Sequence, residues 1–193
     1  MLQRSRFWMN MKPGLEKPFV NKIMEVKNML INTGYLEYEE LKSIQKLPDD
    51  KQYSKGPIAV IECVQQIPCN PCESSCPKGA IQIGKPIINL PNINFEKCVG
   101  CGQCIAKCPG MAIFVIDKSY SDVNAKVSFP YEYYPIPEIN SCVKAVDRKG
   151  DIVCDGKVVK VLSPESFDHT CVITVEIPKK FADEVRSIKR EGF

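Results

Sequence analysis

The stretch CVGCGQCIAKCP, residues 98–109, decides how this chain is read. Cys98, Cys101, Cys104 and Cys108 follow the spacing C-x2-C-x2-C-x3-C, with Pro109 behind the last. Three thiols two residues apart sit on a loop tight enough to wrap one polynuclear core. Gly100 and Gly102 carry no Cβ, so the backbone N–H groups approach such a core closely. A fourth thiol placed before proline does not fold back onto the same core and goes to another. This is the bacterial spacing for [4Fe–4S] clusters. Zinc ribbons also use paired C-x2-C, but they need neither a third cysteine two residues on nor the C-P ending.

The pattern occurs twice. CNPCESSCP, residues 69–77, matches the second copy with an offset of 108 − 76 = 32, and Ala80-Ile81 matches Ala112-Ile113. Each copy runs into a strand-like stretch, 80–83 and 112–116. Gly84-Lys85 is expected to turn the first of these back into 86–90. Two such copies should pack about a pseudo-two-fold axis.

Residues of about 60–117, a third of the chain, resemble a bacterial-type dicluster ferredoxin. That resemblance implies two short ββ halves around two [4Fe–4S] clusters that pass single electrons. The first copy departs from the pattern. Its first cysteine should fall at 98 − 32 = 66, which is Gln66, a poor ligand for iron beside soft sulfide. Cys63 lies three residues earlier, and a longer loop containing Pro68 would bring it to the vacant iron. The count then closes at eight ligands. Crossed ligation assigns Cys98, Cys101, Cys104 and Cys76 to one cluster, and Cys63, Cys69, Cys72 and Cys108 to the other. The alternative is that Cys63 is a buried strand residue and the second centre is [3Fe–4S].

The rest of the composition sets bounds. Of 193 residues, 44% are hydrophobic and 25% charged, which is globular rather than disordered. Eleven cysteines cannot all pair within one chain. The formal charge is +3. Eight thiolates (about −8) and two oxidised cores (about +4) bring the loaded protein to about −1, which gives no case for nucleic acid. MLQRSRFWMNMKPG at the N-terminus lacks the apolar stretch of a secretory signal. The longest apolar runs, 58–61 and 111–116, fall far short of the ~20 residues of a membrane span. The expected location is cytoplasmic.

The expected fold is α+β with three parts. Residues 1–55 read as a helical arm. One helix opens near Pro18, with Val20, Ile23, Met24, Lys27 and Leu30-Ile31 at helical spacing and Gly34 as its cap, and a second runs 37–47. Residues 56–118 are the dicluster ferredoxin domain. Residues 119–193 read as a small antiparallel β domain. In it, 128–138 is a proline-broken connector and strands run over 142–146, 151–154, 157–162 and 171–177. Lys149-Gly150 and Asp155-Gly156 are hairpin turns. A terminal helix spans 179–190, with Phe181, Val185 and Ile188 on one face.

Other residues are weighed and set aside. Cys142, Cys154 and Cys171 read as buried core cysteines. His169, the one histidine, reads as a loop or strand-edge residue. Tyr131, Tyr133 and Tyr134 read as packing. No G-x-G-x-x-G or P-loop motif is present, so no flavin, nicotinamide or ATP site is expected. The expected function is electron relay by a subunit of a larger oxidoreductase. The segment 63–77, followed by 98–109 and a β-rich tail, is also similar to small iron–sulfur subunits of bacterial flavin-dependent amino-acid or amine dehydrogenases. That implies a flavoprotein partner. A stand-alone ferredoxin and a structural or redox-sensing iron–sulfur protein are the alternatives.

Overall fold

The two cysteine-rich copies fold alike. The structure is a computed structural model describing residues 17–44 and 47–190. The first copy gives β1 (Ile58–Ile61), α4 (Pro71–Ser74) and β2 (Ile81–Gln82). The second gives β3 (Asn92–Ile93), α5 (Gln103–Ala106) and β4 (Ile113–Asp117). The one-turn helices correspond at the 32-residue offset. The strands pair crosswise and antiparallel: β1 lies on β4, with Ile58 opposite Ile116, and β2 lies on β3, with Ile81 opposite Ile93. The return strand after Gly84 is thus 92–93 rather than 86–90. The Glu73 carboxylate accepts from the N–H groups of Ile83 and Gly84, and Asn89 donates to the Ile83 carbonyl. These bonds hold 83–91 as a loop.

Beyond β4 the chain continues the same sheet. The further strands are β5 (Asn124–Tyr131), β6 (Cys142–Val146), β7 (Ile152–Leu162), β8 (Cys171–Pro178) and β9 (Ser187–Ile188). Together they form one seven-stranded sheet in the order β1-β4-β5-β8-β7-β6-β9. Strands from both sides of residue 118 therefore share a ladder, and one core joins them: Val60 and Ile116 pack with Val127, Phe129, Ile173 and Val175.

Several expectations change here. The stretch 128–138 is not all connector, because Ser128–Tyr131 completes β5. Ala125, Val127, Phe129 and Tyr131 alternate inward, the period-two signal of a half-buried strand. Pro130 is tolerated because β4 covers only Lys126–Ser128, leaving an edge beyond. Asp155-Gly156 is not a turn. It lies inside β7, which pairs with β6 through Lys157 and with β8 from Lys157 onward. A Cβ at Gly156 would stand 3.1 Å from Ile177 Cγ2, so this glycine serves close packing where the strand changes partner. The expected terminal helix is a 3-10 turn (Lys179–Phe181) followed by β9. Val185 and Ile188 are buried as expected. The backbone, however, completes the open edge of β6 through Arg186 N–H to Val146 O and Lys189 N–H to Lys144 O.

The N-terminal arm holds α1 (Lys17–Thr33), α2 (Tyr38–Ser43) and α3 (Asp50–Tyr53). Gly34, at φ +79°, ends α1 and donates to the Leu30 carbonyl. Residues 1–16, 45–46 and 191–193 lie outside the described residues, as does part of the second expected helix. That helix is shorter than expected. It is opened by a capping box between Glu37 and Glu40 and ends at Ser43. The packed face of α1 runs through Val26 and Leu30, while Met24, Met29 and Ile31 are exposed. Among the described residues no helix is long and apolar enough to cross a membrane.

Candidate metal centre

The eight cysteines of the repeat gather around two cavities. Cys76, Cys98, Cys101 and Cys104 line the first, with Ala59, Ala80, Ile81 and Val99 among its apolar walls. Cys63, Cys69, Cys72 and Cys108 line the second, with Ile61, Ile67, Ile83 and Ile113. Each cavity takes three thiols from one copy and the thiol before proline from the other. The thiols ring an open space rather than converge: among the described residues no three His, Cys, Asp or Glu are set to hold a single metal ion.

Local backbone explains the placement. Cys72 and Cys104 lie in α4 and α5 and are buried. Cys76 and Cys108 follow those helices, and the loop behind each turns an N–H back onto its sulfur. Ala80 N–H donates to Cys76 Sγ at 3.2 Å, and Ala112 N–H to Cys108 Sγ at 3.4 Å. Ala59 N–H, from β1, donates to Cys98 Sγ at 3.4 Å. Gly100 and Gly102 line the first cavity at φ +62° and +81°. At Gly100 the demand is also steric, since a Cβ would fall 2.4 Å from the Pro57 carbonyl oxygen.

The electrostatics suit a cationic core. Burial, then neighbouring Cys98, Cys101 and Cys76, pushes the Cys104 thiol up to about 12. Burial, then chiefly Cys108, with Cys69 and Cys63 adding, pushes Cys72 up to about 11. Four crowded thiolates repel one another, and positive charge at their centre relieves that. Cys76 differs: burial opposes its thiolate, but the N–H groups of Ala80, Lys78, Ile81 and Gly79 outweigh it and hold the thiol below its usual value. Thiolate donors, apolar walls and N–H groups on sulfur all fit a [4Fe–4S] core.

Reading the sequence missed an acid–base cluster beside the second cavity. The Glu62 carboxylate, 8% exposed, accepts from Arg148 Nη2 at 2.6 Å and Arg186 Nε at 2.7 Å. Burial works to raise the Glu62 carboxyl, but Arg186 and then Arg148 overcome it and hold it low. Among the described residues, Arg186 Nη2 is the one buried side-chain nitrogen or oxygen without a hydrogen-bond partner. The partners lie 86 and 124 residues from Glu62, so no local motif announces them. The remaining cysteines stay apart from both cavities. Cys171 is buried, Cys154 half-buried and Cys142 exposed, so the expected core role does not extend to Cys142. Its place near the start of β6 leaves it at the surface. His169 is exposed at φ +67°. Tyr131 is buried with Tyr133 edge-on to it, while Tyr134 is exposed.

Fold and site define a class: the chain contains a ferredoxin-type [4Fe–4S] domain, the iron–sulfur class that carries electrons. The 4Fe-4S binding domain family matches residues 91–114. Several known proteins are similar over part of the chain. One component of an ion-translocating oxidoreductase complex from Methanosarcina acetivorans is 41% identical over 64 residues, 33% of this chain and 23% of that protein. The ferredoxin-type protein NapF of Haemophilus influenzae is 36% identical over 56 residues, 28% of this chain and 32% of that protein. The polyferredoxin-like subunit of an aliphatic sulfonate oxidoreductase from Pyrococcus furiosus is 40% identical over 48 residues, 25% of this chain and 27% of that protein. The chain thus spans a third or less of the length of these relatives. No solved structure matches it.

Proposed function

We propose that this chain is an electron-transfer subunit of a multi-subunit oxidoreductase and binds two [4Fe–4S] clusters, one in each cavity. Cys76, Cys98, Cys101 and Cys104 hold the first, and Cys63, Cys69, Cys72 and Cys108 the second. The observation that carries the reading is the sorting of eight cysteines into two crossed sets of four. A bound [4Fe–4S] cluster supplies reversible one-electron exchange. The chain's own part is to hold the sites in a fixed relation, direct N–H groups at the sulfurs and exclude water with Ile61, Ile81, Ile83 and Ile113. Cys101 is the exposed thiol of the first set, which brings that site nearest a partner's surface.

The assembly has a flavoprotein partner of the amino-acid or amine dehydrogenase type. The β-rich tail behind the second cysteine run supports this, while the relatives named as oxidoreductase subunits support only that partner subunits exist. The test is anaerobic isolation from the native cell through a tag on this chain, with native mass and visible spectrum. A large assembly showing flavin absorption beside the broad iron–sulfur band is expected. A single species of chain mass with the iron–sulfur band alone would overturn the subunit reading in favour of a free carrier.

A further inference from the structure

Cys63 is the cysteine that leaves the repeat pattern, and the residues on either side of it are tied to distant parts of the chain. On one side stands Glu62. Its carboxylate is gripped by Arg148, in the turn between β6 and β7, and by Arg186, ahead of β9. Its N–H donates to the Ala112 carbonyl at 2.8 Å, and the Ala112 N–H donates to Cys108 Sγ. One residue thus links two of the four cysteines around the second cavity to the C-terminal part of the sheet. On the other side stands Val64, 1% exposed, packed in a separate core with Val26, Leu36, Leu41 and Ile44 of the N-terminal arm.

The two outer parts also meet each other. Lys149, next to Arg148, pairs with Glu37 at the start of α2 at 3.0 Å and lies over the Tyr35 ring. Asp147 Oδ1 accepts from the N–H groups of Lys149 and Asp151, which stiffens that turn. The N-terminal arm and the C-terminal strands therefore close around the residues flanking Cys63.

We infer that Glu62 and Val64 are positioning residues for the second iron–sulfur site, and that the two outer parts of the chain form a clamp that substitutes for the regular spacing lost at position 66. In the second copy Cys98 lies only three positions before Cys101, so the covalent chain itself keeps the two thiols close. Cys69 lies six positions after Cys63, and a loop of that length places its thiol only if something else holds it. Partners behind a metal ligand typically govern affinity by 10–100-fold. The inference rests on Cys63 as a ligand, so its test carries that control.

Glu62→Gln and Val64→Ala are compared with Cys63→Ser and wild type, each full-length and loaded anaerobically. The readouts are iron content, EPR, the midpoint potentials and the rate of iron release to a chelator. Both flanking variants should release the iron of one cluster about ten-fold faster. They should also show the [3Fe–4S] EPR signal and a shift in one potential, with the other cluster unchanged. Wild-type behaviour in both, beside selective loss of one cluster in Cys63→Ser, would overturn the clamp and leave the ligand assignment standing. Intact clusters in Cys63→Ser would overturn the assignment, and the clamp with it. Equal loss of both clusters would mark Glu62 and Val64 as general structural residues and also overturn the clamp. If Glu62→Gln does not fold, Arg148→Lys and Val64→Ala carry the same decision.

Discussion

At Gly100 two demands meet that no other residue satisfies. Its φ of +62° is left-handed, and a Cβ would strike the Pro57 carbonyl oxygen and carbon at 2.4 and 2.6 Å. Pro57 leads into β1, whose Ala59 N–H reaches Cys98 Sγ. Gly100→Ala therefore pushes the Cys98–Cys104 loop off the strand that supports it. The left-handed conformation costs about 1–2 kcal/mol and the forced displacement about 1–3 more. We expect a loss of about 2–5 kcal/mol in anaerobic denaturant unfolding, with weaker retention of the first cluster. A variant as stable as wild type would show that loop and strand are not coupled. The same residue shows how far sequence reaches. That a glycine belongs between Cys98 and Cys101 is legible from the motif. That its pressure comes from Pro57, forty-three positions earlier, is not, because the contact is tertiary.

Among the elements, α3 offers a pH test away from the cysteines. Tyr53 ends this one-turn helix, 4% exposed, with its hydroxyl donating to Asp183 Oδ1 at 3.3 Å and Lys118 over its ring. Burial, then the charge of Asp183, raises its phenol well above the usual value. The folded protein thus keeps a proton that the unfolded chain releases near pH ~10. Stability is complete below that value and falls as pH rises through it, by at most about 1.4 kcal/mol per pH unit. Tyr53→Phe should cost about 1 kcal/mol at neutral pH and flatten this alkaline loss in anaerobic melts. An unchanged slope would locate the titration elsewhere.

Elements were unequally legible. The cysteine spacings, the copies they define and the strands behind them are encoded within a dozen residues. β5 was obscured because Pro130 and the tyrosines after it outweigh the alternation of Ala125, Val127, Phe129 and Tyr131. Phe181, Val185 and Ile188 do face the core. Helical spacing misled there because three inward residues fit a turn plus a short strand equally well, and the free edge of β6 decided between them. Glu62, Arg148 and Arg186 carry no local signature, since their meaning arises only when distant segments meet.

At the scale of the molecule, the sheet makes the cysteine-rich region depend on the strands C-terminal to it. β4 is an interior strand, with Val115 opposite Ser128 and Ile116 opposite Val127, and the core beneath it is built largely from β5 and β8. A fragment ending at residue 118 would expose that core and a long apolar edge. We expect such a 56–118 fragment to be insoluble or clusterless, and the full chain to unfold anaerobically in one transition by circular dichroism and by cluster absorbance. A soluble, cluster-loaded fragment, or two separated transitions, would contradict this.

The grip of Arg186 on Glu62 also has a meaning in time. These residues are 124 positions apart, and a ribosome adding about 5–20 residues per second takes roughly 6–25 s to make that span. During this interval Cys63 has been made without one half of its support, and Cys108 follows only after about the first third of it. The grip on Glu62 thus closes only after all eight cysteines of the repeat have been made, so the second cavity gains its last support later than the thiols that line it.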